Sequence, residues 1–85
     1  LTPETYTRLG KGTDPVSGML VAYVAIERHE EITRTTIYKL EKRGDDWYNV
    51  GQFISTGNYR QSREPNGRKL SDSVMSQELI KHAEQ

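Results

Sequence analysis

The longest unbroken apolar stretch, Met19-Leu20-Val21-Ala22-Tyr23-Val24-Ala25-Ile26, has no polar position and is rich in β-branched and aromatic side chains. It is far shorter than the roughly 20 residues a membrane helix needs, and it fits a strand sheltered on both faces better than an amphipathic helix. We expect it to be the central strand. Glu27 to Glu31 breaks the run with charged and polar residues, and a second strand follows from Ile32 to Lys42. Its even positions, Ile32, Arg34, Thr36, Tyr38 and Leu40, are the more apolar set; its odd positions, Thr33, Thr35, Ile37, Lys39 and Glu41, are the wetter one. Arg43-Gly44-Asp45-Asp46 is a turn cluster, and Trp47 to Ser55 resumes strand chemistry, so residues 32–55 read as a hairpin. Gly51, inside the third strand, marks a bulge or the close approach of a neighbouring ring.

The flanks follow other rules. Thr2-Pro3-Glu4-Thr5-Tyr6-Thr7-Arg8-Leu9-Gly10 has a capping hydroxyl, a proline at the first helical position, an early acid and a glycine stop, which predicts a two-turn helix. Lys11 to Gly18, punctuated by Gly12, Asp14-Pro15 and Gly18, reads as an ordered loop or hinge. Glu64-Pro65-Asn66-Gly67 is a second turn signal, with Tyr59 to Arg63 and Arg68 to Leu70 as either a short polar ribbon or a loop. After three competing N-caps, Ser71, Asp72 and Ser73, the residues Met75, Leu79 and Ala83 recur at intervals of four with Ile80 beside them. They form one face of a closing helix, whose end is complemented by Lys81 and His82. The expected fold is therefore α+β: a three- to four-stranded antiparallel sheet, a short N-terminal helix, and a C-terminal helix packed on one face.

Composition narrows the setting. A chain of 85 residues is a single small domain, residues 1–85, and apolar residues at 33% give it a thin core that association with a second chain or a ligand would complete. Twelve Lys and Arg balance twelve Asp and Glu, so the total charge does not favour a polyanion partner, and any such role falls to a local patch. The absence of cysteine excludes a disulfide framework, Cys-ligated zinc and a thiol nucleophile. A start at Leu1, with no basic segment ahead of an apolar one, is what removal of an upstream leader would leave, and the compartment stays open.

Catalytic chemistry finds little support. No Gly-X-Ser-X-Gly elbow is present. His29 between Glu27 and Glu31 would share one strand face with both acids, a geometry a metal can use, but charged clusters at strand ends are ordinarily just solvated. His82 reads as a helix-end residue, and Asp45-Asp46 is explained by turn preference. Gly10-Lys11-Gly12-Thr13 lacks the strand before it, the helix after it and the spacing of a phosphate loop. No catalytic residue, metal ligand or cofactor is assigned, and an enzyme is the less favoured reading.

The expected function is a soluble, non-enzymatic protein-interaction or assembly module, engaging a protein partner or a second copy of itself as a homodimer. Tyr23, Tyr38, Trp47, Tyr48 and Phe53 fall on neighbouring strands, so some of them should project together from an uncovered face. The partner surface is expected at Tyr38, Trp47 and Tyr48, with Arg60 and Arg63 at its rim. The threonine-rich second strand offers an edge for strand addition as a further route. A nucleic-acid alternative rests on the local basic excess of residues 58–69, through Tyr59, Arg60, Arg63, Arg68 and Lys69. A second alternative is a small-ligand-binding protein or small enzyme with a site between helix and sheet.

Overall fold

The structure, a computed structural model, describes residues 4–54, 59–61 and 67–85. Strands β1 (Thr5–Thr13), β2 (Leu20–His29), β3 (Thr33–Arg43), β4 (Asp46–Ile54) and β5 (Tyr59–Gln61) form an antiparallel sheet in chain order. A two-residue strand, β6 (Arg68–Lys69), pairs with β4 beyond the reach of β5, and helix α1 (Val74–Glu84) closes the chain. The α+β class and the single C-terminal helix match the sequence reading. No described helix is long and apolar enough to cross a membrane.

The expected N-terminal helix is instead an edge strand. Thr5, Tyr6, Thr7 and Thr13 are good strand formers, and a two-turn helix has too few hydrogen bonds to repay its nucleation. Pairing along β2, from Thr5 opposite Glu27 to Thr13 opposite Leu20, satisfies the backbone of the most apolar strand instead. Gly10, which resembles a helix stop, follows a register shift between Arg8 and Gly10 that leaves Leu9 as the extra residue. The loop expected at Lys11 begins only at Asp14. There Asp14 Oδ1 accepts hydrogen bonds from the amides of Val16 at 2.7 Å and Ser17 at 3.0 Å, which hold its carboxyl below the usual aspartate range.

The hairpin of β3 and β4 turns on Gly44-Asp45, with Gly44 at φ +62°, the conformation the first central residue of a type II′ turn requires. Gly51 lies at a second bulge, where the register shifts between Lys39 opposite Gly51 and Leu40 opposite Asn49. The Gly51 amide donates to Asn49 Oδ1 at 3.1 Å. One consequence is that β3 has neighbours on both sides, so its threonine row cannot take up a partner strand; among the described strands the sheet ends at β1 on one side and at β5 and β6 on the other.

Helix α1 starts where Ser73 Oγ accepts the Ser76 amide at 3.1 Å, a cap that contributes about 1 kcal/mol. Leu79 and Ala83 lie fully buried on Ala22, Val24, Ile26, Tyr38, Leu40 and Trp47, and Tyr6, Leu20, Leu70, Met75 and Ile80 pack around them. All the core positions of β2 are even-numbered. The odd-numbered ones emerge on the other side of the sheet, which no described element covers.

Candidate functional site

The period of two in the strands separates the sheet into two surfaces. On the surface facing away from α1, one row across the strands is Thr7, Ala25, Ile37 and Phe53, and the next is Gly10, Tyr23, Lys39 and Gly51. The bulged Leu9 adds to these rows. Leu9, Gly10, Tyr23, Ile37 and Phe53 together line an apolar depression of about 320 Å³. Leu9 is 55% exposed and Phe53 39%, while Val21 and Ala25, odd-numbered positions of β2, are buried. Small isolated apolar residues are ordinary at a surface; a contiguous set spanning four strands sets this face apart from the rest of the sheet.

Charge frames this face unevenly. Glu27 and Thr35 stand on one side of the apolar rows. On the other, Lys39 is followed by Glu41 and Arg43, paired at 2.7 Å, with the Arg43 guanidinium 4.6 Å from the centre of the Tyr48 ring. Lys69 reaches Asp46 at 3.4 Å. Among the described residues, neither Glu27 nor Lys39 has an ion-pair partner.

Of the three rings expected to form the partner surface, Tyr48 alone stands on this side. Tyr38 is 7% and Trp47 2% exposed, and both lie in the core with α1. Their place there has a simple cause: Tyr38 belongs to the apolar even set of β3, and Trp47 pairs opposite Lys42 of that same set. The expected projection of these two rings from the uncovered face is corrected accordingly. Arg60 is in β5 opposite Gln52, Tyr59 opposite Phe53, and Arg63 lies outside the described residues. Arg68 and Lys69, the remaining members of the basic segment, are exposed on β6. Leu9 and Ile37 were missed by sequence reasoning. Ile37 had a signal, because an isoleucine among the wetter positions of β3 has no reason to be there unless that face is also partly apolar.

A second groove, about 500 Å³, runs between β1 and the start of α1 and is lined by Glu4, Tyr6, Val74, Met75 and Glu78. Its chemistry is already engaged internally. Arg28 binds Glu4 at 3.2 Å, Tyr6 Oη donates to Glu4 at 3.1 Å, and the Tyr6 ring stacks on His82 with centroids 5.5 Å apart. His82 Nδ1 lies 2.8 Å from the Glu78 carbonyl oxygen, while His29 Nε2 is 3.3 Å from Thr5 Oγ1. The two histidines thus serve different contacts, and among the described residues no three His, Asp or Glu side chains gather as a metal ion would need.

Tyr6 reports on this groove. Burial, then the hydrogen bond and charge of Glu4, push its phenol up from 10.0 to about 12. The folded state therefore holds this proton more tightly than the unfolded chain. The stability it contributes is whole below pH 10 and is lost as pH rises toward 12. Tyr6→Phe is expected to flatten the decline of stability across that interval, as read by urea midpoints at successive pH values; an unchanged slope would contradict the assignment.

Comparison with known protein families, with curated protein sequences and with solved structures gives no significant match, so the functional reading of this chain rests on its own surfaces.

Proposed function

We propose that the domain is a non-enzymatic interaction or assembly module that binds another polypeptide through the open face of its sheet. The observation that carries this reading is the apolar set of exposed Leu9 and Phe53 and half-buried Tyr23 and Ile37, contiguous across four strands and left uncovered by α1. Such a face has the makeup of an interface: an apolar centre, aromatic rings, and a rim of charged side chains at Glu27, Lys39, Glu41 and Arg43. Exposed apolar area of this kind is costly in water and is recovered on association.

The nucleic-acid reading has weaker support. Of its basic residues, Arg68 and Lys69 are adjacent on one short strand, Arg60 is on β5, and Lys69 is partly neutralised by Asp46. A photoreactive side chain at position 37, compared with one at the exposed Lys81 on α1, tests the proposal in an extract of cells that make the protein. The expected result is covalent adducts to polypeptide from position 37 and none from position 81. Absence of polypeptide adducts from position 37 would sink it.

A further inference from the structure

Resting on the binding role of the open sheet face, we infer that its occupant is a second copy of this chain, stacked face to face as a two-chain sandwich. The register supplies the geometry. The row Thr7, Ala25, Ile37, Phe53 crosses the open face between two others, Thr5, Glu27, Thr35 on its polar side and Gly10, Tyr23, Lys39, Gly51 on the side of the apolar depression. A dyad laid along the middle row, midway between two such faces, reverses the strands and exchanges the flanking rows. The Glu27 row of one copy then stacks over the Lys39 row of its partner, and the reverse holds by symmetry.

Both charges are suited to that exchange. Among the described residues neither Glu27 nor Lys39 makes an ion pair within its own chain, and the charge of Lys39 reaches the Asp14 carboxyl only as the smallest of the influences on it. They belong to adjacent strands, so across the dyad they are offset sideways by only about 4.8 Å between sheets about 10 Å apart, a gap two long side chains can close. The alternative dyad, parallel to the strands and between β2 and β3, would bring Glu27 within one strand spacing of the other copy's Glu27 and Lys39 equally near its own copy, so charge selects the antiparallel arrangement. At the centre Ile37 meets its own copy, flanked by Phe53, Tyr23 and Leu9.

The dimensions set the strength. The middle row lies near the start of β1 and the end of β4, so the overlap about the dyad takes in most of β2 and β3 but little of β1 and β4, roughly 400 Å² of flat area per chain before the relief of side chains is counted. About 800 Å² in total is below the standard size of a specific interface and fits a weak, reversible dimer. A zero net charge also removes the long-range repulsion that identical charged chains would otherwise feel.

Sedimentation equilibrium on the purified chain is expected to give a mass that rises from 9.8 kDa toward that of two chains as concentration increases. Glu27→Lys and Lys39→Glu should each weaken the dimer about tenfold, since each places like charges together twice per dimer. The double variant E27K/K39E should recover to within about threefold of the original affinity. Ile37→Asp should give a monomer; because a core defect could mimic that result, the two surface charge variants decide the matter. A wild-type chain that stays monomeric up to about 1 mM, or a double variant no tighter than the singles, overturns the inference. The adducts from position 37 separate its failure from that of the broader reading: adducts only to a different polypeptide overturn the self-pairing and leave the binding role standing, and no adduct overturns both.

Discussion

Replacing Trp47 by alanine is expected to remove about 3–5 kcal/mol of folding stability, the largest loss of any single side chain in this domain. A chain of 85 residues has a total of only about 4–13 kcal/mol to lose, so the variant should be substantially unfolded or close to it at room temperature. The reason is position as much as size. Trp47 is 2% exposed, packs with Leu40, Leu79 and Ala83 in the core between sheet and helix, and lies beneath the Lys42 ammonium, 5.8 Å from the ring centre. Its carbonyl also receives the Leu70 amide at 2.8 Å, tying the returning chain to β4. The ring's own Nε1 is buried with no hydrogen-bond partner. Trp47→Phe should therefore forfeit no hydrogen bond and cost only the missing volume, about 1 kcal/mol. Leu9→Ala, at the exposed bulge of β1, should change stability by no more than about 0.5 kcal/mol. Urea midpoints measured at constant m-value check all three. A Trp47→Ala midpoint as close to wild type as that of Leu9→Ala would show that α1 does not depend on this ring.

The contrast between Trp47 and its neighbour explains what the sequence could and could not disclose. Adjacent residues in a strand face opposite sides, so Trp47 and Tyr48 could never have shared one surface, and the even-numbered apolar set of β3 already pointed Tyr38 toward the core with one of them. That much was available without coordinates. Phe53 was not, because it is odd-numbered like Trp47 yet emerges on the other side. The bulge between Asn49 and Gly51 inserts one residue and reverses the parity, and while Gly51 hinted at a bulge, only the pairing partner fixes where the count changes.

The same division between local and distant information applies to the ends of the chain. Ser73, Met75, Leu79 and Ala83 specify α1 through contacts three and four residues apart, so the helix was legible. The stretch from Thr2 to Gly10 offered the local grammar of a helix, but from Thr5 onward its fate is decided by β2, whose backbone would be left without hydrogen-bond partners along one side. Once β1 takes the edge, the open face gains Leu9, and the candidate site becomes four strands wide. The error in one element and the omission of one site residue thus have a single cause.

Gly67→Ala carries the second large effect, and it acts through the backbone. Gly67 has φ +76°, and a Cβ built on it would lie 2.8 Å from Val50 Cγ1 and 2.9 Å from the Asn49 carbonyl oxygen. The valine methyl can rotate aside, but the carbonyl belongs to β4 at its bulge and cannot withdraw without disturbing the register with β3. Left-handed strain and this contact together should cost about 2–4 kcal/mol. Gly44→Ala is the control: its φ is +62°, nothing lies within 4 Å of the new Cβ, and only the conformational cost of about 1 kcal/mol remains. The two variants should also differ in kind. Gly67 directly precedes β6, which pairs Arg68 with Asn49 and Lys69 with Tyr48, and leads into the Leu70 amide bonded to Trp47. In Gly67→Ala that amide should exchange with solvent much faster than the amides of β2 and β3, because β6 is pushed off β4 while the main sheet persists. In Gly44→Ala its exchange should follow only the small global loss. If the Leu70 amide stayed as protected in Gly67→Ala as in the control, with matching urea midpoints, the close approach of Gly67 to β4 would have no energetic consequence, and β6 would not be what holds the start of α1 against the sheet.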